Sequence, residues 1–369
     1  IVPMVNPSSS LASTLLAWYD DNKADLPWRG ADAYRVWLSE IMLQQTQIDT
    51  VIPYYNRFLE SYPTIDALAR ADLDSVLKQW EGLGYYSRAR NLHKAARMVI
   101  SEFEGEFPTS VSELLRLPGV GPYTAGAVAS IAFGVQAPVV DGNVIRVFSR
   151  LFDIEDDITQ TSTKNQMWEI ADTLVPAERA GDYNQALMEL GQKICSKHNP
   201  LCADCPVQAY CQAFANDTQD ERPVKKKKAP TPHYDVAAGI VRNSDDKILI
   251  AQRPLDGLLG GLWEFPGGKQ EPDETLPECL QRELREELAI EVEVGAFFVQ
   301  VKHAFTHFKI TLHAYECRYI GSSDGSDAPQ AIEAKDWAWI DESQFDDYSF
   351  GKADREVIVA ILERKDMLL

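Results

Sequence analysis

Four cysteines, Cys195, Cys202, Cys205 and Cys211, follow one another as C-x6-C-x2-C-x5-C and close within 17 residues; no other feature restricts the folding of this 369-residue chain as tightly. Thiolates are soft ligands, and four of them on so short a segment, folded back by a two-residue turn, can enclose one metal centre. That reading is an iron–sulfur cluster, and two rivals stand beside it. Disulfides belong to small secreted domains, whereas a long chain with six cysteines, two of them distant at Cys279 and Cys317, reads as reduced and intracellular. Structural zinc usually draws on two C-x2-C pairs, and only one is present.

At 45% apolar and 25% charged content the chain reads as globular and long enough for two cores. Its longest apolar stretches, such as Ala125 to Val135, are too short to span a bilayer, so no membrane association is expected. Ile1 to Leu16 has no basic residue ahead of an apolar run and does not resemble a secretory signal. The net charge of −20 opposes bulk attraction to nucleic acid, with residues 1–235 at −8 (22 basic, 30 acidic) and residues 236–369 at −12 (14 basic, 26 acidic). Any phosphate contact therefore needs a local basic face or backbone amides.

From Ser10 to about Cys211 apolar residues recur at helical spacing, as in Val36, Leu38, Ile41, Met42 and Leu43, and prolines and glycines punctuate short helices. The stretch from Asp217 to Pro232, with Lys225 to Lys228 and three prolines, has no periodicity and reads as a linker. Beyond it Ala237 to Val241 and Ile248 to Gln252 read as strands joined by the polar turn Asn243 to Asp246, and Lys309 to Arg318 alternates polar and apolar residues. The expected organisation is an all-helical domain over 1–216, including the cysteine loop at 195–211, a linker over 217–232, and an α+β domain over 233–369.

Within the helical half, Leu117-Pro118-Gly119-Val120-Gly121 leads into a small-residue helix from Tyr123 to Ala132. Glycines at a helix entry turn backbone N–H groups outward, and the helix N-terminus adds partial positive charge, so a phosphate can dock without any lysine. A plain turn between packed helices explains the glycines equally well. About twenty residues on, Val139-Val140-Asp141-Gly142-Asn143 sets a carboxylate among apolar neighbours. It can cap the next helix or, in low dielectric, stabilise a developing cation.

A helix-hairpin-helix, the VDGN aspartate and the cysteine run, in that order over roughly the first 215 residues, resemble the helix-hairpin-helix superfamily of base-excision DNA glycosylases. Where lyase members carry a Schiff-base lysine after the hairpin, this chain has Tyr123, so it resembles the monofunctional branch. The segments from Leu38 to Thr46 (LSEIMLQQT), Leu26 to Arg29 (LPWR) and Gly82 to Arg88 (GLGYYSR) are similar to the adenine DNA glycosylase (MutY) family.

That resemblance implies one 4Fe-4S cluster per chain on the four cysteines, ordering a loop that sets Lys193 and Lys197 against phosphate. It implies Glu40 as general acid toward adenine N7, its pKa raised by apolar surroundings, and Asp141 as stabiliser of the oxocarbenium-like sugar, with ion pairing or a covalent adduct both open. Tyr123 and Asn143 would orient water and carboxylates. Trp28, Arg29, Leu43 and Gln185 would hold the extruded adenine. Gln45 and Tyr85 would wedge beside the orphan base, with Thr46 and Leu83 nearby as DNA contacts and Gly119 and Gly121 on the backbone. The implied partner is duplex DNA with adenine opposite 8-oxoguanine or guanine, met by a monomer in the bacterial cytoplasm at the nucleoid.

In the C-terminal half, Gly268-x5-Glu274-x7-Arg282-Glu283-Leu284-Arg285-Glu286-Glu287-Leu288-Ala289-Ile290 matches the Nudix box except at Ala289, where glycine is expected. Glu283, Glu286 and Glu287 at i, i+3 and i+4 predict three carboxylates on one helix face, a candidate Mg²⁺ site, and with it an added pyrophosphohydrolase activity. Adenine glycosylases carry a Nudix-like domain that reads 8-oxoguanine, and Phe305, Thr306 and His307 resemble its F-S-H loop, with Thr in place of Ser. Three alternatives stay open: a glycosylase/lyase like endonuclease III, an iron–sulfur DNA-binding protein without catalysis, and a Nudix nucleotide hydrolase carrying a DNA-targeting module.

Overall fold

The computed structural model describes residues 7–226, 230–322 and 328–366; Ile1 to Asn6, and Lys227 and Lys228 of the basic run, lie outside them. The helical half contains α1 (Pro7–Asn22), α2 (Ala33–Leu43), α3 (Ile48–Ser61), α4 (Ile65–Arg70), α5 (Leu73–Trp80), α6 (Ser87–Glu102), α7 (Val111–Leu114), α8 (Pro122–Phe133), α9 (Gly142–Leu151), α10 (Thr161–Leu174), α11 (Ala180–Lys193) and α12 (Gln212–Ala215). Aspartates start three of them. Asp32, Asp72 and Asp141 each accept a backbone N–H of the first turn of α2, α5 and α9. On α9, Val144, Val147, Phe148 and Leu151 recur at i, i+3, i+4 and i+7, and all four are buried with Tyr183, Leu187 and Leu190 of α11.

Close helix contacts depend on glycine. A Cβ at Gly126 of α8 would stand 2.1 Å from the Pro138 carbonyl oxygen, and one at Gly181 of α11 2.5 Å from that of Ser130. At the hairpin, Gly119 is left-handed at φ +77 and a Cβ there would meet Asn91 at 2.7 Å, so both backbone and space require glycine.

The C-terminal half forms a seven-stranded mixed sheet from β1 (His233–Arg242), β2 (Ile248–Gln252), β3 (Trp263–Glu264), β4 (Gly267–Lys269), β5 (Ile290–Ala304), β6 (Lys309–Ser322) and β7 (Asp336–Ile340), with α13 (Leu276–Leu288) and α14 (Lys352–Asp366). Its order is β3-β2-β1-β6-β5, with β4 paired to β1 and β7 to β2; only β1 and β6 run parallel. Alternation along β1 and β2 explains the two helices. Ala237, Val241, Leu249 and Ala251 pack with Leu280, Leu284 and Leu288 of α13, while Ala238, Ile240, Ile248 and Ile250 pack with Val357, Ile358 and Ile361 of α14. A Thr275 capping box with Glu278 begins α13.

Two compact units emerge, one of residues 1–70 and 91–228, the other of 71–90 and 229–369. Sequence continuity assigned residues 71–90 to the helical half, yet they pack with the C-terminal unit. Glu81 explains it. This carboxylate accepts Nε and Nη2 of Arg355 at 2.6 and 3.0 Å, the Phe350 N–H at 2.9 Å and Lys78 Nζ at 2.9 Å. The stretch read as a linker also begins too early. Arg222 is buried and pairs with Asp153 at 2.8 Å, and the Val224 carbonyl accepts Ile158 N–H at 3.0 Å, so residues up to 224 belong to the helical unit.

Gly126→Ala is expected to lower the stability of the helical unit by about 1–3 kcal/mol, because the Pro138 backbone cannot yield as a side chain would. A urea unfolding midpoint at unchanged m-value measures it.

Candidate active site

A cleft of ≈ 1180 Å³ opens in the helical unit, and among the residues lining it are Glu40, Tyr123, Asp141, Asn143, Arg29 and Gln185. Glu40 projects from α2 and is only 5% exposed. Loss of water pushes its carboxyl up to about 7; the Tyr123 hydrogen bond opposes this, and the Asp141 charge adds to it. Tyr123 Oη donates to Glu40 Oε2 at 2.6 Å and also reaches Met188 Sδ at 3.2 Å. Burial, with Glu40 and Asp141 adding to it, raises the tyrosine well above its ordinary value, so it remains a donor.

Asp141 serves twice. Its Oδ1 accepts Val144 N–H at 2.7 Å as the cap of α9, and Oδ2 accepts Asn143 Nδ2 at 2.9 Å. Burial raises its pKa, against these hydrogen bonds and the nearby Arg146 charge. Asn143 is held in turn by Arg146, whose Nη2 donates to its Oδ1 at 2.9 Å and to the Gly191 carbonyl at 2.6 Å, while Nε donates to the Cys195 carbonyl at 2.7 Å. A Cβ on Gly191 would lie 2.7 Å from the Asn143 Cβ.

On the far wall Arg29 Nη1 donates to Gln185 Oε1, and Nη2 to Glu189 Oε1 at 2.6 Å. Glu189 is buried and also accepts Ala24 N–H at 3.0 Å. The buried Trp28 packs edge-on against Tyr55 at 5.2 Å, and Leu43 completes the lining. Glu189, Met188 and Arg146 escaped sequence reasoning. The spacing of Gln185 and Glu189, one turn apart on α11, was the available signal for the first.

Gln45 is exposed and left-handed at φ 58, next to Thr46 on the cleft, which Gly119 and Gly121 also line. Leu83 is a correction. It is 5% exposed and belongs to the core, so its side chain does not present itself to DNA. Tyr85 is 43% exposed, and its hydroxyl shares a 2.8 Å hydrogen bond with Thr306 Oγ1. Thr306 and His307 are exposed at the β5–β6 turn, whereas Phe305 packs edge-on against His303 at 4.7 Å. Lys193 is another correction: its Nζ pairs with Glu189 at 2.7 Å and donates to the Asn22 carbonyl at 2.6 Å, which leaves Lys197 as the lysine of this loop on the cleft.

Two family models match the chain, one described as HhH-GPD superfamily base excision DNA repair protein over residues 38–173 and one as NUDIX domain over 237–360. Adenine DNA glycosylase of Homo sapiens is 37% identical over 393 residues, covering 91% of this chain and 71% of the human protein. That of Buchnera aphidicola subsp. Baizongia pistaciae is 41% identical over 255 residues, covering 69% of this chain and 72% of the other. The chain belongs to the adenine DNA glycosylase family. It is a DNA glycosylase of base excision repair. A solved structure of a thermostable thymine-DNA glycosylase superposes at a TM-score of 0.51 and 31% identity, over 57% of this chain and 97% of that one.

In this glycosylase the four cysteines are all free thiols, each partly buried. They lie within electrostatic reach of one another. Burial and the other thiols push Cys205 up to about 12 and raise Cys202 and Cys211, so this site disfavours thiolates until a metal compensates them. Arg150 Nη1 meets Cys195 Sγ at 3.3 Å, a donor suited to a sulfur carrying negative charge. Among the described residues no three His, Cys, Asp or Glu groups converge tightly enough for a single ion.

The Nudix box fails the corresponding test. Glu286 is 53% exposed and turned to Arg282, which also binds Glu274 and Glu283 at 2.7 and 3.0 Å. Glu283 and Glu287 instead line a pocket of ≈ 360 Å³ with Glu264, Asp354 and Arg253, and Arg253 is ion-paired to Glu264. The expected three-carboxylate face is thus split by arginine partners on the same chain, and burial pushes Glu287 up to about 8 and Asp354 up to about 7. These residues do not fit a divalent cation.

Titration of the full chain with Mn²⁺, followed by electron paramagnetic resonance, is therefore expected to show no saturable site in this pocket. A saturable signal that disappears in Glu287→Gln would contradict the ion-pair arrangement.

Proposed function

We propose that this glycosylase removes adenine from duplex DNA where it faces 8-oxoguanine or guanine, with Glu40 as general acid and Asp141 as stabiliser of the sugar cation. The observation that carries the reading is the presence on one cleft of two carboxyls in different settings, the buried Glu40 held by a tyrosine and the half-buried Asp141 by a helix cap. Breaking the bond between C1′ and N9 sends its electron pair to the base, which leaves readily once protonated. With a pKa near 7, Glu40 retains a protonated fraction at neutral pH, and because Tyr123 donates to Oε2 the other oxygen is left to carry a proton to N7. Asp141, fixed by Val144 N–H and Asn143, supports positive charge on the sugar until water adds at C1′.

Tyr123 at the hairpin has no amine with which to form a Schiff base, which supports hydrolysis without strand cleavage. Arg29, Gln185 and Glu189, with Trp28 as an aromatic wall, suit the donors and acceptors of an extruded purine. The cysteine donor set suits a 4Fe-4S cluster on Cys195, Cys202, Cys205 and Cys211, which would order the 195–211 loop when bound. Thr306, His307 and Tyr85 are the candidates for reading the opposing base.

Adenine release is the direct test. Single-turnover assays on duplexes with adenine opposite 8-oxoguanine, guanine and thymine should show release from the first two, and absence from the first would overturn the reading.

The proton requirement sets the pH dependence. A folded-state pKa raised to about 7 means that the active, protonated Glu40 is lost as pH rises through that value, so the single-turnover rate should fall above about pH 7. Glu40→Gln should lose roughly 10²-fold or more of the rate and the alkaline limb with it. An unchanged limb in Glu40→Gln would assign that titration to another group.

A further inference from the structure

Residues Gly82 to Tyr85 form an unusual turn. Gly82, Gly84 and Tyr85 all adopt positive φ, at 91, 75 and 49, and at Tyr85 a side chain bears the strain. Beneath it lies Arg88, a cation only 7% exposed, whose Nη2 donates to the Leu83 and Gly84 carbonyls at 3.1 and 3.0 Å. Its guanidinium carbon stands 5.3 Å from the Trp80 ring and 5.5 Å from the Tyr85 ring. Trp80 Nε1 donates to the same Gly84 carbonyl at 3.1 Å, and the Gly82 N–H donates to Tyr86 Oη at 3.0 Å.

We propose that Arg88 is a positioning residue for Tyr85, holding the left-handed turn and the tyrosine ring in the pose that enters duplex DNA beside the orphan base. The proposal rests on the reading above, in which Tyr85 contacts that base. A buried guanidinium can do three things at once here: neutralise two converging carbonyl dipoles, stack between two aromatic rings, and stay charged. Lysine offers one mobile ammonium and no plane, so it cannot replace the fork. The turn keeps its shape only while both carbonyls point at Arg88, because a left-handed tyrosine would otherwise relax. Tyr85 Oη then reaches Thr306 at 2.8 Å, which fixes the ring at its far end as well.

The test is equilibrium binding of the full chain to a duplex carrying 8-oxoguanine opposite a non-hydrolysable adenine analogue. Wild type, Arg88→Lys, Tyr85→Ala and the double variant are compared, each with its unfolding temperature. Arg88→Lys should bind about tenfold more weakly, roughly the loss of one charge-assisted hydrogen bond, while the single-turnover rate at saturating enzyme changes much less. In the Tyr85→Ala background Arg88→Lys should cost little more, because the ring it positions is gone.

Gly84→Ala attacks the same turn through backbone strain alone, since a Cβ there meets nothing within 4 Å. It should reproduce the binding loss, and it carries the test if Arg88→Lys does not fold. Wild-type binding by either folded variant, or an Arg88 effect that simply adds to that of Tyr85→Ala, overturns the proposal. Wild-type binding by Tyr85→Ala itself would instead remove the wedge reading, and the role of Arg88 with it.

Discussion

The withdrawal of two carboxyls from water governs the helical unit. Glu40 and Asp141 come from different helices, and each would be solvated if α2, α8, α9 and α11 stood at ordinary distances. Glycines at 126, 181 and 191 let backbone and side chains approach to separations that any Cβ would block. The close packing has an electrostatic consequence, since burial is the largest influence on both carboxyls. Hydrogen bonds then separate them. Glu40 has one opposing donor, Tyr123, whereas Asp141 has the Val144 N–H, Asn143 and the nearby Arg146 charge, so burial favours a proton on the first more than on the second.

An acidic chain that acts on DNA must keep its few basic groups from being squandered, and here most are already committed. Arg29 and Lys193 share the single carboxylate of Glu189, and Arg146 spends its donors on backbone carbonyls and Asn143. What the cleft offers to phosphate is instead the glycine hairpin at the start of α8, together with Lys197. Recognition that depends on shape and backbone is less sensitive to overall charge than a lysine-rich surface would be.

Much of this was legible in the sequence, and the exceptions are instructive. Helical periodicity located the α2 face, short apolar runs around a polar turn located β1 and β2, and alternation located β6, because each pattern has one period. Glu40, Tyr123 and Asp141 were found through motifs, and the structure brings them together. Glu189 was missed because a lone glutamate on a helix reads as solvated; only the Arg29 and Ala24 groups that fold across from α1's end reveal its burial. Leu83 was placed near DNA by the resemblance of the GLGYYSR segment, yet its apolar side chain in the turn is buried away from water. The placement of residues 71–90 was invisible for a similar reason, since Glu81 finds its partners roughly 270 positions downstream.

The Nudix box shows why a sequence match does not by itself make a metal site. Motif matching scores residue identity, whereas metal binding needs carboxylates that are ionised, unpaired and convergent. Here Arg282 holds Glu274, Glu283 and Glu286, and Arg253 holds Glu264, so every one of those acids already has a cation from its own chain. Removing Arg282 would leave three carboxylates without that partner, and removing one glutamate would take one partner from the guanidinium. Such a network resists substitution through folding alone. The Gly268 position follows the same logic, for a Cβ there would fall 2.2 Å from the Glu283 carboxyl carbon. The box residues of this domain, matched at every position but Ala289, are thus tied to one another through Arg282, which pairs with Glu274, Glu283 and Glu286.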